Sequence, residues 1–471
     1  MEFVSIGYLC FLAAVLVGFR LIPLRWRTHL LLVASYAFYC TWSVRMAAVL
    51  LLATTVCFLA ALQLESLRGR RSASILTFVA VAALVVFLAF FKIRPLLCAT
   101  CNPIIPLGVS YYTFRLISYL LDVYWGKQNA VREFIPFATY VAFFPQLIAG
   151  PIQRESSFLP QLESAHQRDR KILEGSLRMA IGFAKKCVVA DNLGLFVGWA
   201  YSHLHSGSAL PSLVALYLYP LQLYADFSGL VDIAIGSGLM LGLEAPENFD
   251  LPFSAKNITE FWRRWHMTLT SWLRDYVFMP IRMLTRDWGE FSLCLSLTVN
   301  MLLIALWHGF TLGFFVYGLF HSVFLIAEVL TASRRKQRYS SNPDIERLAN
   351  FLGPIYVFHV VAVGSVFFRA PSLNSVAQLF ASLGSGIHQI VTDFGALVAP
   401  PNHNAWIAFP VYLLISAVDA YRRRNGFQLP VLAPRYLKWS VYGSVAATWI
   451  LIGFVLLGSE KGSDPFVYAL F

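Results

Sequence analysis

The chain is dominated by a succession of long apolar runs, at about 3–19, 29–42, 46–64, 73–91, 104–124, 134–150, 174–200, 210–225, 228–243, 291–308, 311–330, 351–368, 406–420 and 437–457. A helix needs about 20 largely apolar residues to cross the hydrocarbon of a bilayer, where only helices and closed barrels satisfy their own backbone. Of the 471 residues, 58% are hydrophobic and 13% charged; soluble domains run at roughly 45–50% and 25%. A soluble fold has nowhere to bury that surplus. The expected class is an all-α polytopic membrane protein: a single membrane-embedded domain over 1–471, with a core at about 104–330 and C-terminal helices over 351–471. Some runs are too short to span alone, so the crossings number on the order of 10–12, the others being re-entrant or interfacial.

Met1–Phe19 has no basic residue before it and no small-residue cleavage site after it, so it is expected to stay as the first span. The net charge of +12 sits mostly in short loops, which fits topology signals and contacts with membrane lipids, not nucleic acid. Basic clusters at Arg20, Arg25 and Arg27, at Arg68, Arg70 and Arg71, at Arg334, Arg335, Lys336 and Arg338, and at Arg422–Arg424 can all face the cytoplasm at once. That orientation puts the tail from Gly458 outside and His308 toward the outer end of its helix. Most cysteines stand alone in apolar runs, and the one close pair, Cys98-Ala-Thr-Cys101, lacks the second pair a metal site needs. No metal or bound cofactor is expected. No internal repeat with matched broken helices is visible, which counts against a secondary transporter.

Three segments carry chemistry. From Asn257, a helix-start residue, to Tyr276 the sequence places Phe261, Trp265, Leu269, Trp272 and Tyr276 at spacings of three and four, which predicts one amphipathic helix in the cytoplasmic interface. The plainer reading is a surface anchor, but His266 lies beside the apolar stripe and can point inward, while Arg263 and Arg264, next to Trp262, suit the phosphates of an anionic donor. In Leu306-Trp-His-Gly-Phe310, Trp307 and Gly309 flank His308 at the end of an apolar helix. An ionisable group at membrane depth usually faces a polar cavity, and imidazole is the common general base near neutral pH. In Tyr224–Asp232, the carboxylates Asp226 and Asp232 and the hydroxyl Ser228 interrupt apolar sequence; pairing of Asp226 with a His or Arg is as reasonable as catalysis. Pro145, Gly150 and Pro151 break the stretch around Gln146, which reads as a re-entrant element or a kinked span. No G-x-S-x-G elbow or Walker A loop is present.

Seven stretches together resemble the membrane-bound O-acyltransferases, in particular their bacterial alginate O-acetyltransferase-like branch. They are Pro106–Phe114, Phe144–Pro151, Asp226–Gly229, Pro246–Phe249, Thr259–His266, Trp272–Tyr276 and Leu306–Gly309, with a looser match at Pro465–Tyr468. The resemblance implies a bundle of tilted helices around a central tunnel, with the family's invariant active-site histidine at His308 and its motif-borne histidine at His266. The remaining candidates for donor binding or site support are Asp226, Ser228, Arg263, Arg264, Trp262, Trp307 and Gln146.

The expected activity is transfer of an acyl group, acetyl above all, from a cytoplasmic thioester such as acetyl-CoA toward an exported polysaccharide. It would take place in a bacterial inner membrane, with a periplasmic partner protein completing the transfer. The rivals are D-alanyl transfer to a cell-wall polymer from a carrier-protein thioester and, in another class, polysaccharide or lipid transport.

Overall fold

A computed structural model describes residues 3–97, 107–164, 171–204, 208–385, 395, 406–425 and 449. Cys98, Cys101, the 437–457 run, the tail from Gly458 and Pro465–Tyr468 lie outside the described residues. Among the described residues the fold is all-helical, and the chain sorts into two compact units interleaved in sequence: 1–183 with 230–246 and 432–461, and 184–229 with 247–431 and 462–471.

The first unit opens with α1 (Ile6–Leu21), α2 (Arg27–Cys40), α3 (Val44–Ser66), α4 (Arg71–Leu97) and α5 (Val109–Tyr124). It continues with α6 (Phe134–Ala142), the four-residue α7 (Phe144–Leu147), α8 (Glu155–Ser164) and α9 (Ile172–Phe183). A π-helical turn, Ala184–Ala190, then leads to α10 (Asp191–Ser202) and to α11 (Ala209–Met240), which divides between the units after Gly229. The second unit holds α12 (Ile258–Arg264), α13 (Met267–Leu273), α14 (Met279–Leu284), α15 (Gly289–His308) and α16 (Leu312–Leu330). Its further described helices are α17 (Ala332–Ser341), α18 (Pro343–Arg369), α19 (Leu373–Ser385) and α20 (Ala408–Asn425).

Six helical stretches among the described residues are long and apolar enough to cross a membrane: α3, α4 over Arg71–Ile93, α11, Arg286–His308, α16 and α18. They divide sharply by burial. Only 17% of the α4 window is buried, with Phe78, Val86 and Phe90 facing outward, whereas 94% of the α11 window is buried. An apolar helix that leaves its side chains uncovered is at home only in lipid; α11 forms protein core instead. Local chemistry sets the helix starts: Ser43 accepts from the Met46 amide, Thr311 from the Phe314 amide, and Asn342 from the amides of Asp344 and Ile345 just ahead of Pro343 at the first helical position.

Several boundaries depart from the apolar pattern for physical reasons. The runs at 210–225 and 228–243 are one helix, α11, because Asp226 is ion-paired and needs no break to reach water. The 134–150 run does break, at Phe143, and protein covers the break: Phe143, Phe144 and Gln146 are fully buried. The 174–200 run is interrupted by the π-helical turn carrying Lys185 and Lys186. In the first unit, α9 and α11 cross so closely that a Cβ on Gly175 would stand 2.6 Å from the Gly236 carbonyl oxygen, and one on Gly236 would stand 2.5 Å from that of Gly175. Only glycine allows that approach.

Candidate active site

The stretch expected to form one interfacial helix over 257–276 is broken at His266 and buried on both sides of the break. Asn257 caps α12, its Oδ1 accepting from the Glu260 amide at 2.8 Å. From α16, the buried Glu328 carboxylate accepts the amides of Ile258 (2.8 Å) and Thr259 (2.9 Å) and the Thr259 hydroxyl (2.9 Å). A carboxylate on orphan N–H groups at a helix start is favoured by both hydrogen bonding and the helix dipole. At the other end, α12 stops at Arg264, and His266 takes the left-handed conformation, φ 45° and ψ 51°. A non-glycine residue persists there only when its surroundings over-determine it.

Those surroundings are the loop after α11. The Asp250 amide donates to the Arg264 carbonyl at 3.0 Å and the Met267 amide donates to the Asn248 carbonyl at 2.9 Å, so loop contacts replace the helical bonds. The fully buried Asn248 Oδ1 then accepts three donors: the Thr268 amide (3.1 Å), the Thr268 hydroxyl (2.9 Å) and His266 Nδ1 (3.1 Å). Because a backbone amide can only donate, the atom facing it is oxygen, and the same oxygen requires a proton on Nδ1. Nε2 is left as the ring's lone-pair acceptor; it is buried and has no hydrogen-bond partner. Burial, only partly opposed by a hydrogen bond within His266 itself, pushes this imidazole down to about 3, so it is neutral at any ordinary pH.

His266 is 1% exposed and His308 5%. The Phe227 ring meets His266 edge-on at 4.8 Å, and Trp307 meets it at 5.8 Å between centroids. Trp307 also lies 4.5 Å from the His308 ring, which Phe368 closes from another side at 4.7 Å. Both imidazoles therefore rest on one indole. This corrects the expectation of one histidine near each surface, because a single ring contact on either side of Trp307 cannot bridge a roughly 30 Å hydrocarbon layer. Gly309 beside His308 answers to packing: a Cβ there would sit 2.7 Å from the Phe314 ring.

The other candidates divide. Asp226, fully buried on α11, pairs with Lys186 at 2.8 Å, and Lys186 also holds Asp191 at 2.7 Å; the partner is a lysine of the π-helical turn, not a residue of the 257–276 stretch. Ser228 is buried with no partner on its hydroxyl, and Trp262 is buried against His321 with its indole N–H unpartnered. Arg264 is engaged with Glu260 and donates to Ser254 at 2.7 Å, which leaves Arg263 as the exposed cation of the pair. Gln146 belongs to the first unit, where its Oε1 accepts from Arg115 at 2.6 Å and its Nε2 donates to Gln153 at 2.9 Å. Asn248, Lys186 and Glu328 are not among the residues the sequence points to. Each lies far in sequence from the group it serves, and Asn248 carried a signal only as part of the Pro246–Phe249 stretch.

Residues 131–368 match the membrane-bound O-acyltransferase family, MBOAT. The chain is 34% identical to a probable alginate O-acetylase AlgI of Pseudomonas putida over 95% of both chains. It is 29% identical to a peptidoglycan O-acetyltransferase of Helicobacter pylori over 75% of this chain and 73% of that one. A teichoic acid D-alanyltransferase of Bacillus subtilis is also 29% identical, over 56% of this chain and 68% of the relative. A family match over half the chain, an alginate-type relative that is similar from end to end, and an all-helical fold with lipid-facing spans lead to one assignment: the chain belongs to the membrane-bound O-acyltransferase family and is a multi-pass membrane enzyme.

Proposed function

We propose that this enzyme moves an acetyl group from a cytoplasmic thioester, acetyl-CoA in the simplest case, toward an exported polysaccharide, acting in a bacterial inner membrane with a periplasmic partner protein that completes the transfer. The observation that carries this reading is the His266 ring. It is neutral and buried, its tautomer is fixed by Asn248, and Nε2 is open beside the indole that also supports His308. The hydroxyl oxygen of the acceptor attacks the thioester carbonyl while His308 takes the hydroxyl proton. The C–S bond then breaks, and the proton passes to the departing thiolate, giving an ester and a free thiol. His266 Nε2 supplies the acceptor that a hydroxyl at the reacting centre needs for alignment, which is a positioning contribution. Arg263, exposed at the end of α12, suits the phosphates of the donor.

An acetyl donor is favoured over D-alanyl by the likeness to the alginate-type relative of Pseudomonas putida over 95% of the chain, against 56% coverage by the D-alanyltransferase of Bacillus subtilis. The test is polymer-bound acetyl in cells carrying His308→Ala. Loss of acetyl with export and protein abundance intact supports the proposal. Acetylation at the wild-type level in that strain sinks it.

A further inference from the structure

The loop that carries Asn248 is itself gripped from α20. Two acidic side chains flank Asn248, and both reach arginines of that helix: Glu247 meets Arg422 at 3.9 Å and Asp250 meets Arg423 at 3.0 Å. Arg422 is held in turn by Asp419 at 3.0 Å, and Asp419 takes Lys185 on its other side at 2.6 Å. Lys185 and Asp419 are largely withdrawn from solvent, with side chains 6% and 12% exposed, so this inner pair is screened far less than the outer contacts. Sequence alone reads Arg422 and Arg423 as topology signals, which need no partner. Here they have specific carboxylates, both in the one segment that sets the His266 tautomer. In the outer contacts Glu247, Arg423 and Asp250 are substantially exposed, so each pair is too weak individually to hold the fold together, but the pairs are well placed to fix a loop with no more regular structure than the short 3-10 turn at Pro252–Ser254.

We propose that α20 is a clamp on the Asn248 loop, with Arg422 and Arg423 acting as positioning residues for His266 during acyl transfer. The inference rests on the acyl-transfer reading above. A loop drifting by a fraction of an ångström lengthens the Asn248–His266 bond and lets Nε2 leave its alignment, which slows turnover while donor affinity stays as it was. Arg423 is therefore a determinant of rate without touching substrate.

The experiment uses the full chain in membranes, with the initial rate of acetyl incorporation followed as donor concentration varies. Arg423→Asp and Asp250→Arg should each lower the maximal rate about fivefold with an unchanged half-saturating donor concentration. The double charge swap, Arg423→Asp with Asp250→Arg, should recover the wild-type rate to within about twofold. Asp419→Asn should slow the enzyme, and Asp419→Glu should restore it. A swap no faster than its single parents, or single variants at full rate, overturns the clamp, as does a swap that restores protein abundance but not rate. His308→Ala separates the two ideas: acetylation that is indifferent to this change fails the acyl-transfer reading itself, whereas acetylation abolished by it but untouched by the charge reversals fails the clamp alone.

Discussion

The two units each bury a polar centre, and the centres are built on opposite terms. In the first, Arg115 on α5 is 1% exposed and donates to the Tyr140 carbonyl (2.7 Å), to Gln146 Oε1 (2.6 Å) and to the Pro151 carbonyl (3.3 Å). Gln146 passes the network on to Gln153, whose amide donates to the Glu244 carbonyl at 3.1 Å. In the second, Asn248 fixes one nitrogen of His266 and leaves the other without a partner, on a residue held at φ 45°. The Arg115 guanidinium commits its two terminal nitrogens to three acceptors and ties a broken backbone together, with Nε alone unpartnered, whereas the His266 imidazole has one hydrogen bond and one of its two ring nitrogens unpartnered. Buried polarity alone does not mark an active site. What sets His266 apart is the combination of a fixed tautomer, a left-handed backbone and an unpartnered nitrogen beside the indole that also meets His308.

That contrast breaks most directly at His266. His266→Asn keeps a residue that tolerates the left-handed backbone. It should cost about 10²-fold in acetylation while membrane abundance and thermal midpoint stay near wild type. A comparable loss of abundance would put His266 in the same class as Arg115. Arg115→Met is the mirror experiment. It strands three buried acceptors and should destabilise the protein by about 3 kcal/mol, seen as a lower thermal midpoint in detergent and less protein in the membrane. Any remaining folded protein should turn over at close to the wild-type rate per molecule.

Asn248 is the point where the comparison can be sharpened by pH. The wild-type His266 imidazole, pushed down to about 3, stays neutral from pH 8 to pH 5 and so contributes no acid limb to the rate. The same shift makes stability pH-dependent. The unfolded imidazole takes a proton near 6.5 and the folded one does not, so this group's contribution is complete above pH 6.5 and drains away as pH falls toward 3. Asn248→Asp sets a negative charge on Nδ1–H, which favours the imidazolium and raises the folded value. The rate should drop about tenfold more between pH 8 and pH 5 than it does in wild type. Equal profiles would mean that Nε2 takes no part in turnover.

How far the sequence reaches is seen in the same residues. Apolar runs of bilayer length locate the spans because hydrocarbon imposes both a length and a composition, and the break at Phe143 is legible because proline and glycine cannot continue a helix. His266, His308 and Trp307 stand out as polar or bulky residues in unusual settings, and they do converge. The helix break at His266 is invisible in the sequence. Phe261, Trp265, Leu269, Trp272 and Tyr276 keep helical spacing straight through it, because periodicity records which face is apolar and says nothing of a distant loop competing for backbone hydrogen bonds. The Lys186 pairing with Asp226 and the Glu328 cap escape for the same reason: each joins helices far apart along the chain.

Glu328 gives the smallest expected effect. Its carboxylate receives two amides and a hydroxyl at the start of α12, eight residues or fewer from His266, and belongs by geometry to the saturated kind of centre. Glu328→Gln keeps the shape and one acceptor oxygen but removes the charge that the helix dipole favours, so the loss should be about 1 kcal/mol of stability. If saturated contacts only frame the site, the rate per folded molecule should change by less than about twofold. A larger fall in rate with an unchanged thermal midpoint would show that the start of α12 transmits its register to His266, and the division between framing and reacting centres would have to be redrawn around the whole of α12.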